Sequence, residues 1–446
     1  MKPDRESSDI VAARATPRWL PELSRDGWIL FATGGIRGFA TGFFAVVFGL
    51  YLAVRGLDAA TIGLIFTAAL AGGAVATVLA TTLADRLGRR RILIVSTTVM
   101  ALTTAVVAVT NSVVVLAIAG MVGAVSPSGN DVGALLPIEQ AILPQAARAE
   151  QRTHVFAFYN LVSSFAGAIG ALSIGLPATV GMTPIAGDRA LIAAYAILSL
   201  ALLLLYTRLS PRVEPARTPS GTAPARHWLG VHRSRGALAK LVPLFALDSF
   251  GGALVVQALI AYWFYVRYGV DTRTLGAIFF GTSLLAALSF LAAAPVAKRV
   301  GLLNTMVFTH LPSNVLLMLV PLMPNLALSA AALLARSLLS QMDVPTRQSY
   351  TMAIVDPDER SAVAGITSVA RKAGGAVAPS ISGVLLSASA LAVPFLIGGA
   401  VKIVYDLAMF AVFCQVHPPE EISRAPDSDQ PESLEQGLPR GTPGRG

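Results

Sequence analysis

The feature that most constrains this chain is a series of apolar stretches, each near 20 residues long, separated by shorter polar segments. A helix of about 20 apolar residues crosses the hydrocarbon layer of a bilayer. Because unpaired backbone groups are costly in lipid and the stretches lack strand-like alternation, helices are the structure that fits them. The 446 residues are 54% hydrophobic and 13% charged, more apolar surface than a soluble core encloses. The sequence therefore predicts an all-α membrane protein.

We predict twelve spans, arranged as two sets of six. The first set covers 27–53, 60–83, 92–112, 114–138, 154–177 and 189–207. The second set covers 239–266, 274–296, 303–323, 326–345, 361–387 and 390–413. The predicted domains are an N-terminal segment 1–26, a six-helix half 27–207, a polar linker 208–238, a second half 239–413 and a disordered tail 414–446.

Basic residues alternate between the loops and so predict the orientation. Arginine and lysine are retained on the cytoplasmic side of short loops. The richer loops carry Arg86, Arg89, Arg90, Arg91, Arg148, Arg152, Lys298, Arg299, Arg347 and Arg360, besides the linker, whereas the opposite loops carry Arg55, Arg189, Arg267 and Arg273. Both termini are therefore predicted to be cytoplasmic, at the inner membrane of the cell, which requires an even number of spans.

The two sets of spans contain an internal repeat. The segment 56–66 matches 269–279 at an offset of 213, through shared Gly, Asp, Thr, Gly, Ile and Phe positions. Pro137 and Gln140 match Pro345 and Gln348 at an offset of 208. Because six spans separate the copies, the halves share one orientation. Parallel halves with a substrate site between them are one known transporter plan.

The loop after the second span contains Asp85-Arg86-Leu87-Gly88-Arg89-Arg90-Arg91. This pattern resembles the signature loop between helices two and three of the major facilitator superfamily, although Thr81 stands where that family has its first glycine. The resemblance covers residues 27 to about 413. It implies twelve helices in two six-helix halves related by a pseudo-twofold axis, and secondary transport by alternating access.

The resemblance also implies a cytoplasmic gate formed by Asp85, Arg86, Gly88, Arg89, Arg90 and Glu139. In this gate Asp85 would face the positive N-terminus of another helix. Arg89 or Arg90 would pair with Glu139. In helix eleven, Gly374 to Pro379 is similar to the glycine–proline motif of antiporter members, which in that family lies in helix five.

Ionisable residues inside the spans are candidates for function because burying a charge in lipid is costly. Asp343 with Arg347, and Lys402 with Asp406, are four residues apart and are expected to pair along their helices. Arg371 and Lys372 are adjacent, about 100° apart around a helix, so we expect only one of them to face the cavity.

The predicted substrate or coupling residues are Arg37, Asn130, Asp131, Asp248 and Arg336. Arg37 and Asp248 lie near mid-membrane on helices one and seven, and we expect them to pair across the interface of the halves. Arg336 is the candidate for binding an anionic group. Asp131 and Asp248 are the candidate proton carriers, because a desolvated carboxylate takes up a proton more readily.

These patterns favour a transporter over an enzyme, since the chain lacks the HExxH, GxSxG and P-loop motifs. No cofactor, metal or nucleic-acid partner is expected, and the predicted partners are a small-molecule substrate, protons and the lipid bilayer, with the protein as a monomer. Proton-coupled export is preferred on resemblance to efflux members. The alternatives are proton-coupled uptake or exchange of a small organic or inorganic anion, and a non-transporting membrane sensor.

Overall fold

A computed structural model of the chain describes residues 23–124, 127–129, 135–145, 152–214, 231–356 and 359–416. Most of the predicted linker and tail, and the predicted site residues Asn130 and Asp131, lie outside the described residues. The described ranges are almost entirely helical. The predicted all-α class is confirmed.

The N-terminal half forms six spans. Its helices are α1 (Arg25–Val54), α2 (Ala59–Leu87), α3 (Arg89–Val109), α4 (Val113–Ala119), α5 (Leu135–Ile142), α6 (Arg152–Leu172), α7 (Leu176–Thr179) and α8 (Pro184–Tyr206). The fourth span consists of α4 and α5, and the fifth consists of α6 and α7.

The C-terminal half repeats this arrangement. Its helices are α9 (Arg235–Ala253), α10 (Gln257–Tyr268), α11 (Thr272–Val300), α12 (Leu302–Leu319), α13 (Leu326–Ser340), α14 (Asp343–Ala353), α15 (Arg360–Ala376), α16 (Ala378–Ser387) and α17 (Val393–Phe413). The pairs α9 with α10, α13 with α14 and α15 with α16 form the seventh, tenth and eleventh spans.

Nine of the spans are recognisable from length and hydropathy alone in the described ranges. In the described ranges, nine helical segments are long and apolar enough to cross a membrane. The fourth, tenth and eleventh spans are each divided between two shorter helices and carry polar residues near the break. Exposed apolar side chains such as Leu102 and Leu204, 63% and 67% accessible, form the surface that faces lipid.

The internal repeat is visible in the backbone. Gly88 and Gly301, 213 positions apart, both have positive φ angles, of 104° and 91°, where one span ends and the next begins. Gly56 and Gly269, also 213 apart, have φ angles of 78° and 63° in the corresponding opposite loops. Glycine reaches such angles without steric cost. The equivalent turns therefore require the same residue in each half.

Small residues set the close packing inside each half. A Cβ on Gly38 or Gly42 of α1 would lie 2.2 or 2.0 Å from a carbonyl oxygen of α6, and one on Gly374 of α15 would lie 2.4 Å from the Ala246 oxygen of α9. Spans 1 and 5 and spans 7 and 11 thus approach through backbone contact, as in other membrane helix pairs. The glycines of the antiporter-like segment in helix eleven serve this packing.

The halves meet at one end of the bundle, opposite the start of α1 and the end of α17, and we call it the closed end. There α2 and α16 are in backbone contact, and the Ala60 N–H donates to Ser387 Oγ at 2.8 Å. Two turns further, the Ser380 N–H donates to Thr67 Oγ1 at 3.0 Å. Further along α2, Lys372 Nζ donates to Thr77 Oγ1 at 2.8 Å. Beyond Thr77 the described residues of α2 and α15 share no further hydrogen bond, and we call this other end of the bundle the open end.

Gly63 is expected to control closure at the closed end. A Cβ there would lie 2.3 Å from the Pro379 carbonyl oxygen, so Gly63→Ala should separate α2 from α16. In a Cys414→Ser background carrying Ala59→Cys, we expect maleimide to label the introduced thiol several-fold faster when Gly63→Ala is added. Gly73→Ala is the matched control, because a Cβ on Gly73 would meet nothing within 4 Å. Equal labelling rates in the two variants would contradict the assignment.

Candidate functional site

A cavity of about 780 Å³ lies between the halves and is lined by residues of both. Its wall includes the amides of Gln140, Asn160, Gln257, Gln341 and Gln348. The charged residues on the wall are Arg37, Asp248, Arg336, Asp343, Arg347, Arg371, Lys372 and Lys402. A polar, partly enclosed space of this volume is large enough for a small-molecule ligand.

Arg37 on α1 is held by a network within the N-terminal half. Its Nη2 donates to Glu139 Oε2 on α5 at 2.8 Å and to the Tyr159 hydroxyl at 2.6 Å. Glu139 also accepts hydrogen bonds from Thr33 at 2.5 Å, Tyr159 at 2.5 Å and Tyr206 at 2.7 Å. Arg37 is 4% and Glu139 1% accessible. A buried pair with its remaining oxygens satisfied is the arrangement that offsets desolvation.

Asp248 on α9 is held by two cations of its own half. Its Oδ2 accepts from Arg347 Nη1 on α14 at 2.9 Å, and its Oδ1 accepts from Lys402 Nζ on α17 at 2.5 Å. Arg347 also donates to Asp343 at 2.9 Å, so the predicted pairing of Asp343 with Arg347 is confirmed. Two carboxylates and two cations form a closed, neutral cluster on the cavity wall.

The predicted pairing of Arg37 with Asp248 across the interface is wrong, because each side chain has found its partner inside its own half. The two pairs are related by the repeat. Glu139 and Arg347 are 208 positions apart, the offset that also relates Pro137 to Pro345. In the N-terminal half the arginine is on span 1 and the carboxylate on span 4. In the C-terminal half the carboxylate is on span 7 and the arginine on span 10. This reversal follows from the repeat and could have been found from the sequence.

A second polar cluster connects α12 to α17. His310 Nδ1 lies 2.7 Å from Asp406 Oδ1, and Asn314 Nδ2 donates to Asp406 Oδ2 at 2.8 Å. The predicted pairing of Lys402 with Asp406 is wrong, since Lys402 binds Asp248 instead. Sequence reasoning missed the role of His310. The available signal was one polar residue per turn, His310 and Asn314, inside an apolar helix.

Arg336 and Arg371 line the cavity without an ion pair in the described part of the chain. Arg336 Nε is buried and has no hydrogen-bond partner. Adjacent Lys372 also lines the cavity, where it bonds Thr77. The expectation that only one of Arg371 and Lys372 faces the cavity is wrong, because both side chains are long enough to reach the wide space beside α15.

The predicted interruption of the fourth span is present. Helix α4 continues into a short π-helix over Gly120–Ala124, and α5 begins at Leu135. Within the gap, the Pro127 carbonyl oxygen accepts from the Ala258 N–H at 3.2 Å, where the seventh span is itself broken between α9 and α10. The breaks of two spans from different halves thus meet beside the cavity.

The predicted gate residues make contacts within the N-terminal half only, as far as the structure describes them. Arg89 Nη1 donates to the Ala141 oxygen at 3.2 Å, and Arg90 Nη2 donates to the Thr207 oxygen at 2.6 Å. The predicted pairing of Glu139 with Arg89 or Arg90 is wrong, because Glu139 is buried deeper, beside Arg37. Arg86 is exposed, and the side chain of Asp85 is outside the described part of the structure.

Carboxylates satisfy backbone N–H groups at the open end. Glu214 accepts from the Arg89 N–H at 2.6 Å and from the Arg90 N–H at 3.3 Å, at the start of α3. Glu359 accepts from the N–H groups of His232, Arg233 and Ser234, just before α9. Burial raises the pKa of Glu359, but these three donors outweigh it and lower the pKa to about 2. Glu359 is therefore ionised at neutral pH and anchors the entry to the C-terminal half.

The family model of the Major Facilitator Superfamily matches residues 30–379 and 261–440. The chain belongs to the Major Facilitator Superfamily. An uncharacterized membrane protein of Saccharomyces cerevisiae is 24% identical over 425 residues, covering 88% of this chain and 95% of the yeast protein. The family consists of transporters, so membership places the chain among transporters rather than enzymes.

Solved structures of this superfamily share the fold. The nucleoside transporter NupG has a TM-score of 0.67 at 13% identity, covering 87% of this chain and 99% of its own. The xylose transporter XylE from E. coli, inward open, has a TM-score of 0.65 at 14% identity, covering 86% and 96%. A bacterial homologue of the lysosomal transporter Spinster, inward-facing, has a TM-score of 0.62 at 15% identity, covering 86% and 94%. The twelve-helix layout in two halves is that of these transporters.

We expect that breaking the ion pair of one half leaves the ion pairs of the other half intact. Arg37→Met leaves Glu139 buried without its cation, which typically costs about 3–5 kcal/mol. The thermal unfolding midpoint in detergent should fall well below that of Arg86→Met, the control at an exposed arginine. Adding Glu139→Gln should restore most of the loss, whereas adding Asp248→Asn should lower the midpoint further. Rescue by Asp248→Asn instead would support pairing across the interface.

Proposed function

We propose that this member of the superfamily is a secondary active transporter that moves a small molecule across a membrane by alternating access. The observation that carries the proposal is a polar, charged cavity between two halves whose α2–α16 contacts lie at one end. Contacts at the closed end are hydroxyl and backbone contacts, which break at lower cost than buried ion pairs do. Rocking of the halves would then expose the same cavity to the opposite side.

We propose further that protons drive the transport and that its direction is export. Proton coupling is supported by the carboxylates on and beside the cavity wall, Asp248, Asp343 and Asp406. In the described structure Asp248 is the anion between Arg347 and Lys402, so its proposed part is to position these cations. Export is supported by resemblance to efflux members, and Asp131 stays a predicted proton carrier outside the described residues.

A second candidate function is uptake or exchange of a small anion, and a specific observation favours it. The described cavity wall carries six cationic residues, Arg37, Arg336, Arg347, Arg371, Lys372 and Lys402, against the two carboxylates Asp248 and Asp343. Arg336 and Arg371 have no carboxylate at ion-pair distance there. A guanidinium in a low-dielectric space attracts carboxylate or phosphate groups, often through two hydrogen bonds.

The proposed location is the cytoplasmic membrane, with the termini and the open end on the cytoplasmic side. The charge bias of the loops supports this orientation. The sensor alternative has no support from the described fold or from the related transporters.

The first test is a proton-flux assay with purified protein in proteoliposomes that contain a pH-sensitive dye. A panel of neutral, cationic and anionic small molecules is applied under an imposed pH gradient. Compound-dependent proton movement would establish coupling, and the sign of the gradient that supports accumulation would give the direction. Movement of compounds without protons would overturn proton coupling and leave a uniporter or exchanger. Failure of every compound in the panel, in protein that is folded, would count against transport.

Asp248→Asn provides the matching variant. We expect it to reduce the transport rate at least about tenfold, because Arg347 and Lys402 would lose the anion that positions them on the cavity wall. Asp188→Asn is the control, because Asp188 is equally buried, at 3% accessibility, but lies on α8 and does not line the cavity. An unchanged rate in Asp248→Asn would refute a role for this carboxylate in transport.

A further inference from the structure

We propose that His310 and Asp406 form the proton-binding site of this transporter, with the proton entering from the cavity at His310 Nε2. The inference rests on the proposed proton coupling and goes beyond it by naming the site. His310 lines the cavity wall although it is only 3% accessible, and Asp406 behind it is fully buried. His310 therefore lies next to the cavity, and Asp406 lies behind it, away from solvent.

The partners of each buried acid distinguish Asp406 from the others. Glu139 is bonded to Arg37, Asp343 to Arg347, and Asp248 to Arg347 and Lys402. Arginine and lysine only donate hydrogen bonds, so an acid bonded to them is satisfied as an anion and not as a neutral acid. Asp406 has no arginine or lysine bonded to it in the described part of the chain. Its partners are the imidazole of His310 and the amide of Asn314.

Histidine is the side chain that most readily changes charge between about pH 5 and 8. With Nδ1–H directed at Asp406 Oδ1, the neutral ring has a free acceptor at Nε2. Addition of a proton from cavity water forms an Nε2–H bond, breaks one O–H bond of the hydronium donor and makes the ring an imidazolium. The pair then changes from a net charge of minus one to zero without losing its hydrogen bond.

Asn314 allows the cluster to satisfy both protonation states. Its Nδ2 donates to Asp406 Oδ2 at 2.8 Å, while its Oδ1 is buried and has no partner. If the proton moves from the ring to Asp406, rotation of the amide by 180° would place Oδ1 to accept from the new O–H. An amide offers both donors and an acceptor, unlike the guanidinium and ammonium groups around Asp248.

Lys402 provides a connection from this pair to the cavity. It lies one turn before Asp406 on α17, and its Nζ is bonded to Asp248 at 2.5 Å. While the His310–Asp406 pair is anionic, it attracts the ammonium group of Lys402. Once the pair is protonated this attraction is lost, and Lys402 interacts with Asp248 alone. Proton binding thereby changes the charge balance at the Asp248 cluster, where substrate would be bound.

Other charged or titratable groups lie near the pair. Asp248 on α9 and Lys402 on α17 interact with it electrostatically, and the His310 ring packs against Tyr405 of α17. A further set interacts with Asp248 or its neighbours: Arg336 on α13, Asp343 and Arg347 on α14, and Arg371 on α15. The cations oppose an imidazolium and the carboxylates favour it. Asp406 is the carboxylate in direct contact with the ring, so its negative charge is expected to dominate.

The proton site can be tested without a known substrate. In the full chain labelled with ¹⁵N-histidine and reconstituted in bilayers, the signal of His310 is identified by its loss in His310→Gln. We expect the Nε2 signal to change from a free acceptor to a protonated nitrogen as the pH is lowered from about 9 to 5. Asp406→Asn should alter this pH dependence, because the carboxylate bonded to the ring is lost. Asp188→Asn, a buried carboxylate of the other half, should leave it unchanged. A purely structural pair would keep one protonation state from pH 5 to 9, and that result would overturn the proposal.

A transport measurement separates this proposal from the general one. For any compound that the proteoliposome screen identifies, His310→Gln should retain exchange of labelled for unlabelled compound across the membrane and lose the accompanying proton movement. Retained proton movement would refute the assignment of the site while leaving proton-coupled transport in place. Absence of transport by the wild-type protein would refute the proposed function, and the titration of His310 would still decide whether the pair binds a proton.

Discussion

The buried charges of this protein are neutralised inside each half, and the rest of the structure depends on that constraint. Arg37 is paired with Glu139 in one half, and Asp248 with Arg347 and Lys402 in the other. An isolated charge in the membrane interior is costly, so each half has to satisfy its own charges if the halves are to move. Because no ion pair between described residues joins the two halves, rocking them breaks none of these buried pairs. Each half can behave as a rigid body.

The same constraint explains why the cavity keeps positive charge. The described carboxylates on the cavity wall, Asp248 and Asp343, are both paired with cations of their own half. Arg336 and Arg371 therefore line the cavity without a described carboxylate as a partner. A guanidinium left there without a carboxylate is a place where a ligand can supply the missing charge. The second cluster, His310 with Asp406, is the proposed proton site, whose members could change charge without breaking their contact. Under that proposal, the groups with fixed charge are separate from the pair with variable charge.

Much of the fold was predictable from the sequence, but most of the contacts at the site were not. Twelve spans and two parallel halves followed from apolar length and the 213-residue repeat, and the positive φ angles of Gly88 and Gly301 show that repeat in the backbone. Pairing along one helix was predicted correctly for Asp343 with Arg347 and wrongly for Lys402 with Asp406. Both pairs have the same spacing, and the difference is a third group, Asp248, that only the packing of α9 against α17 brings within reach. Sequence spacing defines which side chains can meet, but competition between neighbours decides which do.

The closed end has a consequence for how the protein responds to its surroundings. Its contacts between α2 and α16 are glycine faces, hydroxyl groups and backbone N–H groups, such as Ala60 with Ser387 and Ser380 with Thr67. None of these groups carries a charge, so ions in the adjacent solution have little to screen there. The stability of that seal should vary little with salinity or acidity of the medium it faces. In the proposed orientation this end faces the exterior, so the barrier would stay constant under changing external conditions, whereas the proposed proton site lies inside the protein.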